Sequence, residues 1–158
     1  MDSNDLAGYL AGWVLIVPTW AAMLGLQERN PWMLFAAMAL VWIADIAAYF
    51  AGRAWGRHKL APSISPGKTW EGVGGAAAGV LIYGVAAAQV AGYTPPSIAG
   101  WALLLLGLTA VSIMGDLFES MIKRQAGVKD SSNLLPGHGG LLDRLDSQTS
   151  TMPLAALA

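Results

Sequence analysis

The chain has 158 residues, of which 55% are hydrophobic and 12% charged, the latter about half the charged share of an ordinary soluble domain. With a mean hydropathy of +0.50 and a formal net charge of −1, the composition points to a membrane protein and away from general nucleic-acid affinity. There is no cysteine, which excludes disulfides, thiolate metal sites and a cysteine nucleophile.

The N-terminal MDSNDLAGYL has no basic segment ahead of its apolar run, which argues against a cleaved signal peptide. Four apolar stretches follow, at 6–26, 32–51, 74–91 and 98–114. Each is near the roughly 20 residues needed to cross a bilayer. Pro18 is expected to break the first. The third and fourth are rich in Ala and Gly, as expected of closely packed helices. The expected fold class is all-α: a polytopic membrane protein of about four transmembrane helices, forming a single membrane domain over 1–158. A cytoplasmic polar loop at 52–72 and a polar, C-terminal helical segment at 115–151 complete it.

The connections differ in kind. Gln27 to Pro31 is a short polar turn, and Gly92 to Pro96 is another, without charge. Gly52 to Gly72 reads as a long basic loop. Arg53, Arg57, Lys59 and Lys68 lie in that loop, and Lys123, Arg124, Lys129 and Arg144 lie after the fourth stretch. If four helices alternate, eight of the nine basic residues share one face, with Arg29 on the other. The positive-inside rule makes that face cytoplasmic. The loop and the C-terminal segment then meet the same compartment.

Within the second stretch Asp45 is an intramembrane acid, a functional candidate by default. Tyr49 and Arg53 follow on its helical face, and a structural polar contact is the competing reading. Gly52-x-x-x-Gly56 and Gly75-x-x-x-Gly79 read as packing motifs. In the loop, Ser63-Ile-Ser65-Pro-Gly67-Lys68-Thr69-Trp-Glu-Gly72 offers hydroxyls, a lysine and a Pro-Gly turn to phosphate oxygens. Its spacing is not that of a P-loop. A surface loop meeting lipid headgroups is the plainer alternative.

Asp116, Glu119, Ser120 and Lys123 fall at i, i+3, i+4 and i+7, so a fourth helix prolonged past the membrane surface carries them on one face. Glu119–Lys123 also fits an ordinary i,i+4 pair. Asp116 follows directly on an apolar run, where an acid is costly unless paired or cation-bound. Asp143 and Asp146 are a second acidic pair, three residues apart. With no sulfur ligands, such carboxylates suit a hard cation such as Mg²⁺; capping a helix N-terminus is the alternative. The preceding Pro136-Gly137-His138-Gly139-Gly140 is a turn whose backbone N–H groups can meet phosphate. His138 is open between general acid, phosphate donor and turn residue.

The run Ser120-Met-Ile-Lys-Arg-Gln-Ala-Gly-Val-Lys-Asp130, followed by Leu-Pro-Gly-His-Gly-Gly-Leu-Leu-Asp-Arg-Leu-Asp146, resembles the signature of the phosphatidate cytidylyltransferases. Ala-Asp45-Ile-Ala-Ala-Tyr49-Phe-Ala-Gly52, His58-Lys-Leu-Ala-Pro62 and Ser65-Pro-Gly-Lys-Thr-Trp-Glu-Gly72 resemble further stretches of that family, in the same order. The resemblance covers roughly 42–147. It implies an integral membrane enzyme joining CTP to phosphatidic acid, set in membrane lipids of a bacterial-type inner membrane with its active site facing the cytoplasm. Asp116 and Asp143 would then hold Mg²⁺, with Asp146 close by and a second cation as an option. Ser120, Lys123 and Lys68 would contact phosphates. Asp45, Ser65, Arg124, Lys129, His138, Gly139, Gly140 and Arg144 complete the expected substrate-binding set. No nucleic-acid partner is implied, and a homodimer is one assembly open to the chain. The family carries further membrane helices before this part and another apolar helix after it, so the resemblance is to a C-terminal portion. Two rivals are a shortened homologue that binds lipid phosphate or a partner subunit without turnover, and an ion transporter using Asp45 and Asp116.

Overall fold

The computed structural model describes residues 3–125, 127 and 146–157. Five helices and one hairpin follow in chain order: α1 (Ser3–Arg29), α2 (Pro31–Trp55), β1 (Lys59–Ala61), β2 (Ser65–Thr69), α3 (Trp70–Val90), α4 (Ile98–Gln125) and α5 (Asp146–Leu157). The fold is all-α apart from the two short strands. Among the described residues α2, α3 and α4 are long and apolar enough to cross a membrane. Few of their residues are covered by protein, and large apolar side chains such as Trp32, Ile82 and Leu103 face outward. That inversion of the soluble pattern is expected when lipid is the solvent.

The first helix departs from expectation. Pro18 lies inside a continuous 27-residue α1 and does not break it. Proline removes one ladder hydrogen bond, here the one to the carbonyl of Val14, without ending the helix. A single residue then reverses the chain: Asn30 caps α2, its Oδ1 accepting from the Trp32 N–H at 2.9 Å, with Pro31 in the first turn, where its lack of an N–H costs nothing.

The segment 52–72 is likewise not a long loop. Helix α2 runs on to Trp55 and α3 begins at Trp70, leaving room for a tight antiparallel hairpin. Lys59 pairs with Thr69 and Ala61 with Ser65. Pro62 lies within the turn that the Ile64 N–H closes onto the Ala61 carbonyl at 3.2 Å.

Antiparallel packing of α2 on α3 rests on missing side chains. A Cβ at Gly75 would run into the Ala51 Cβ, one at Gly79 would come 2.8 Å from the Ala47 Cβ, and one at Gly72 would come 3.0 Å from the Ala48 carbonyl oxygen. At the end of this seam Thr69 fills a notch: a Cβ at Gly52 would lie 2.9 Å from its Oγ1. The same hydroxyl accepts from the Gly72 N–H at 3.1 Å and so caps α3. Leu40, Val41, Ala44, Ala76, Val80, Leu105 and Leu108 form the buried core between α2, α3 and α4.

Helix α5 packs against α1 and α4, and three of its polar residues are inside the bundle: Ser147, Gln148 and Thr151 are buried, with Met152. The segment 115–151 therefore divides. Its start prolongs α4 to Gln125, and its end enters the bundle. Pro153 deprives the Thr149 carbonyl of its helical donor, and the Thr19 hydroxyl of α1 supplies one instead, at 2.8 Å. Arg29 donates to the Ala156 carbonyl at 3.2 Å, so α5 runs alongside α1 in the same direction. The Ser150 hydroxyl reaches the Val111 carbonyl at 3.3 Å, which sets α5 against the part of α4 that precedes Asp116.

Gly75→Val should separate α2 from α3 and destabilise the chain by about 1–3 kcal/mol, the usual range for overpacking. Gly74→Ala, with open space around the added methyl, should be neutral or slightly stabilising through helix propensity. Thermal unfolding in detergent followed by circular dichroism checks both.

Candidate active site

The glycine seam sets where the hairpin stands. With Thr69 held in its notch, β2 leans over the end of α2 toward α4. Lys68, one residue before Thr69, forms an ion pair through Nζ with Oδ2 of Asp116. Both side chains are 24% exposed, dry enough for the attraction to matter and open enough for a ligand to compete. The Ser120 hydroxyl, one turn along α4, lies 3.4 Å from the other Asp116 oxygen.

Between α2, the hairpin and α4 is a cleft of about 440 Å³, within the usual range for small-molecule sites. Asp45, Tyr49 and Arg53 line it from α2, Ser65, Gly67 and Lys68 from β2, and Asp116 from α4. Ala44, Ala48, Leu60, Val73 and Ile113 make the remaining walls largely apolar. Two acids and two bases thus face one small volume.

A second clamp holds the hairpin at the same open end, where Lys59 faces Thr69. The His58 Nδ1 and Glu71 Oε1 are 2.7 Å apart, and the His58 backbone N–H reaches both Glu71 carboxylate oxygens at 3.2 Å. The Trp70 N–H closes the same junction on the His58 carbonyl at 3.0 Å. The residues flanking the two strands are therefore tied together before the hairpin reaches over the cleft.

Of the residues singled out in the sequence, Asp45, Ser65, Lys68 and Asp116 converge on the cleft, with Ser120 beside Asp116. Lys123 lies further along α4, 3.3 Å from Glu119 in an i,i+4 pair. Arg124 follows, exposed, and is not among the residues lining the cleft. Lys129, His138, Gly139, Gly140, Asp143 and Arg144 lie outside the described residues, as does the side chain of Asp146, which opens α5. Among the described residues no group of three or more His, Cys, Asp or Glu side chains is placed to hold a metal. Asp45 and Asp116 offer oxygen donors alone, a donor set that fits a hard divalent cation.

Sequence reasoning put Tyr49 and Arg53 on the helical face of Asp45 but did not count them among the site residues. Arg53 does not reach toward Asp45; its Nη1 donates to the Tyr49 hydroxyl at 2.7 Å. The signal was the i, i+4, i+8 spacing of Asp45, Tyr49 and Arg53, which marked one helix face but not that this face borders a cleft.

A profile of the cytidylyltransferase family matches residues 4–158. The chain is 48% identical over 153 residues to a phosphatidate cytidylyltransferase of Pseudomonas aeruginosa, covering 92% of this chain and 54% of that protein. It is 42% identical over 163 residues to one of Haemophilus influenzae, covering 96% and 57%. For one of Mycobacterium leprae the identity is 40% over 153 residues, covering 95% and 46%. The chain spans about half the length of the curated relatives it matches.

Glu71→Gln or His58→Ala should loosen the hairpin without unfolding the bundle. Amide exchange across 59–69 is expected to rise several-fold while the α2 and α3 interiors keep their protection; mass-spectrometric exchange in detergent reads both.

Proposed function

The chain belongs to the cytidylyltransferase family, and on that premise we propose that it transfers the cytidylyl group of CTP to phosphatidic acid, giving CDP-diacylglycerol and pyrophosphate. The observation that carries this reading is the Lys68–Asp116 ion pair in a cleft whose α2 wall is continuous with an apolar, outward-facing helix surface. A water-soluble nucleotide and a lipid phosphate need such a meeting place. The names of the relatives support the choice of substrates.

In this reaction a phosphate oxygen of phosphatidic acid forms a bond to the α-phosphorus of CTP. The bond from that phosphorus to the bridging oxygen of the β-phosphate breaks, and pyrophosphate leaves with the electron pair. No covalent intermediate on the protein is required. The protein's main task is to hold two polyanions together and stabilise the charge that develops between them. Lys68 donates to phosphate oxygens from the hairpin. The Ser65 hydroxyl and the exposed backbone at Gly67 stand beside it for the same purpose. Lys123, beyond the cleft on α4, adds positive charge on the path of the leaving pyrophosphate.

Mg²⁺ fits the oxygen donors of Asp116, and Asp143 and Asp146 of the sequence signature are proposed as its further ligands. When bound, it supplies charge neutralisation to the phosphate oxygens.

The active site is proposed to face the cytoplasm of a bacterial inner membrane. Arg53, Arg57, Lys59, Lys68, Lys123 and Arg124 all lie at the hairpin end of the bundle, while Arg29 lies at the other, the asymmetry that sets orientation in bacterial membranes.

The decisive assay is pyrophosphate release by the chain in detergent with phosphatidic acid, CTP and Mg²⁺. Release is expected to require all three, and Asp116→Asn is expected to lower it by about 100-fold or more, the usual cost of removing a group that organises transition-state charge. Binding of CTP and phosphatidic acid without turnover would instead support the lipid-phosphate-binding homologue. No Mg²⁺-dependent CTP binding by folded protein would overturn the proposal.

A further inference from the structure

On one face of α2, Ile46, Tyr49 and Phe50 are exposed apolar side chains, and Arg53 follows one turn later on the same face. The Tyr49 and Phe50 rings meet edge to face at 5.5 Å. Tyr49 and Arg53 also line the cleft. The face thus has the layout of an amphipathic lipid: an apolar stripe, then a cation at the edge of a polar cavity.

The charge state of that cation matters. Lys68 is engaged with Asp116, whereas the Arg53 contacts among the described residues are with Tyr49: the hydroxyl at 2.7 Å and the ring, 6.0 Å from Cζ. Tyrosine steadies the guanidinium without neutralising it. One N–H is spent on the phenol, and four remain. A planar fork of this kind suits two oxygens of one phosphate. Across the cleft, Ser65, Gly67 and Lys68 form the opposite wall. The two walls therefore present separate phosphate contacts, one beside lipid-facing surface and one on the hairpin.

We propose that Arg53, positioned by Tyr49, is the anchor for the phosphomonoester of the lipid substrate, with its acyl chains lying along the Ile46–Phe50 stripe. The inference rests on the lipid-phosphate reading of the cleft and divides it: α2 binds the lipid phosphate and the hairpin binds the nucleotide.

The test compares wild type with Arg53→Ala, Arg53→Lys and Tyr49→Phe in two assays. The first measures equilibrium binding of dioctanoyl phosphatidic acid to the detergent-purified chain, without CTP. Inorganic phosphate and dioctanoyl phosphatidylglycerol serve as competitors. The second measures KM for each substrate in the pyrophosphate assay. Arg53→Ala is expected to weaken lipid binding and raise the KM for phosphatidic acid by about 10-fold to 100-fold, the loss of a charge-assisted contact, with the KM for CTP unchanged. Arg53→Lys should recover part of this, and Tyr49→Phe should lose about 2-fold to 10-fold. A rise in the KM for CTP instead would move Arg53 to the nucleotide side and overturn the proposal. So would a lowered melting temperature with both KM values unchanged, the signature of a residue that only balances the α2 dipole. Competition by inorganic phosphate or phosphatidylglycerol as strong as by phosphatidic acid would also overturn it. The binding assay separates this inference from the proposed reaction. Lipid binding lost in Arg53→Ala, in a chain that releases no pyrophosphate, upholds the anchor and removes the reaction. Normal turnover with unchanged lipid KM does the reverse.

Discussion

The close approach of α2 and α3 is the constraint on which the rest of the molecule depends. Apolar burial drives little association between helices in lipid, so packing must come from contact itself. Gly72, Gly75 and Gly79 let the α3 backbone approach Ala47, Ala48 and Ala51. The seam then ends at Thr69, which at once fills the space left by Gly52 and caps α3. One side chain therefore couples helix packing to the start of a helix and to the last residue of the strand that carries Lys68.

From there the chemistry follows in short steps. Lys68 is adjacent to Thr69, so its Nζ has a limited reach, and Asp116 lies within it. Asp116 is where it is because α4 continues beyond its apolar span, to Gln125, instead of ending at the membrane surface. The His58–Glu71 clamp ties the start of the hairpin to α3 at that same open end. A two-stranded hairpin would be marginal alone. Here both of its strands are tied to helix termini at the open end, which makes it a usable wall for a cleft.

Much of this was legible in the chain. Hydropathy gave the apolar helices, because a bilayer imposes a length that composition must satisfy. The i, i+3, i+4, i+7 spacing placed Asp116, Ser120 and Lys123 along one prolonged helix, because helical period needs no tertiary information. The small-residue spacing at Gly75 and Gly79 marked a packing seam for the same reason. Three features were not legible. Pro18 sits within a continuous helix, although local propensity counts proline as a helix breaker. The hairpin at 59–69 carries Pro66 and Gly67 in a five-residue strand, which local propensity counts against; its anchors are tertiary. The polar Ser147, Gln148 and Thr151 looked like a surface segment, yet they are buried. A Ser or Thr hydroxyl can turn back on its own helix, as Thr151 does to the Ser147 carbonyl at 2.7 Å, so polarity in sequence did not translate into exposure.

The Pro153 gap in α5 has a consequence for how the chain is assembled. Facing lipid, an unpaired Thr149 carbonyl would cost several kcal/mol. The Thr19 hydroxyl that satisfies it belongs to α1, synthesised well before α5. The carbonyl that Pro153 leaves open therefore meets its Thr19 donor only when α5 is docked against a helix already in place. The positions of that proline in α5 and of that threonine in α1 are thus two halves of one requirement: neither can move along its helix without the other.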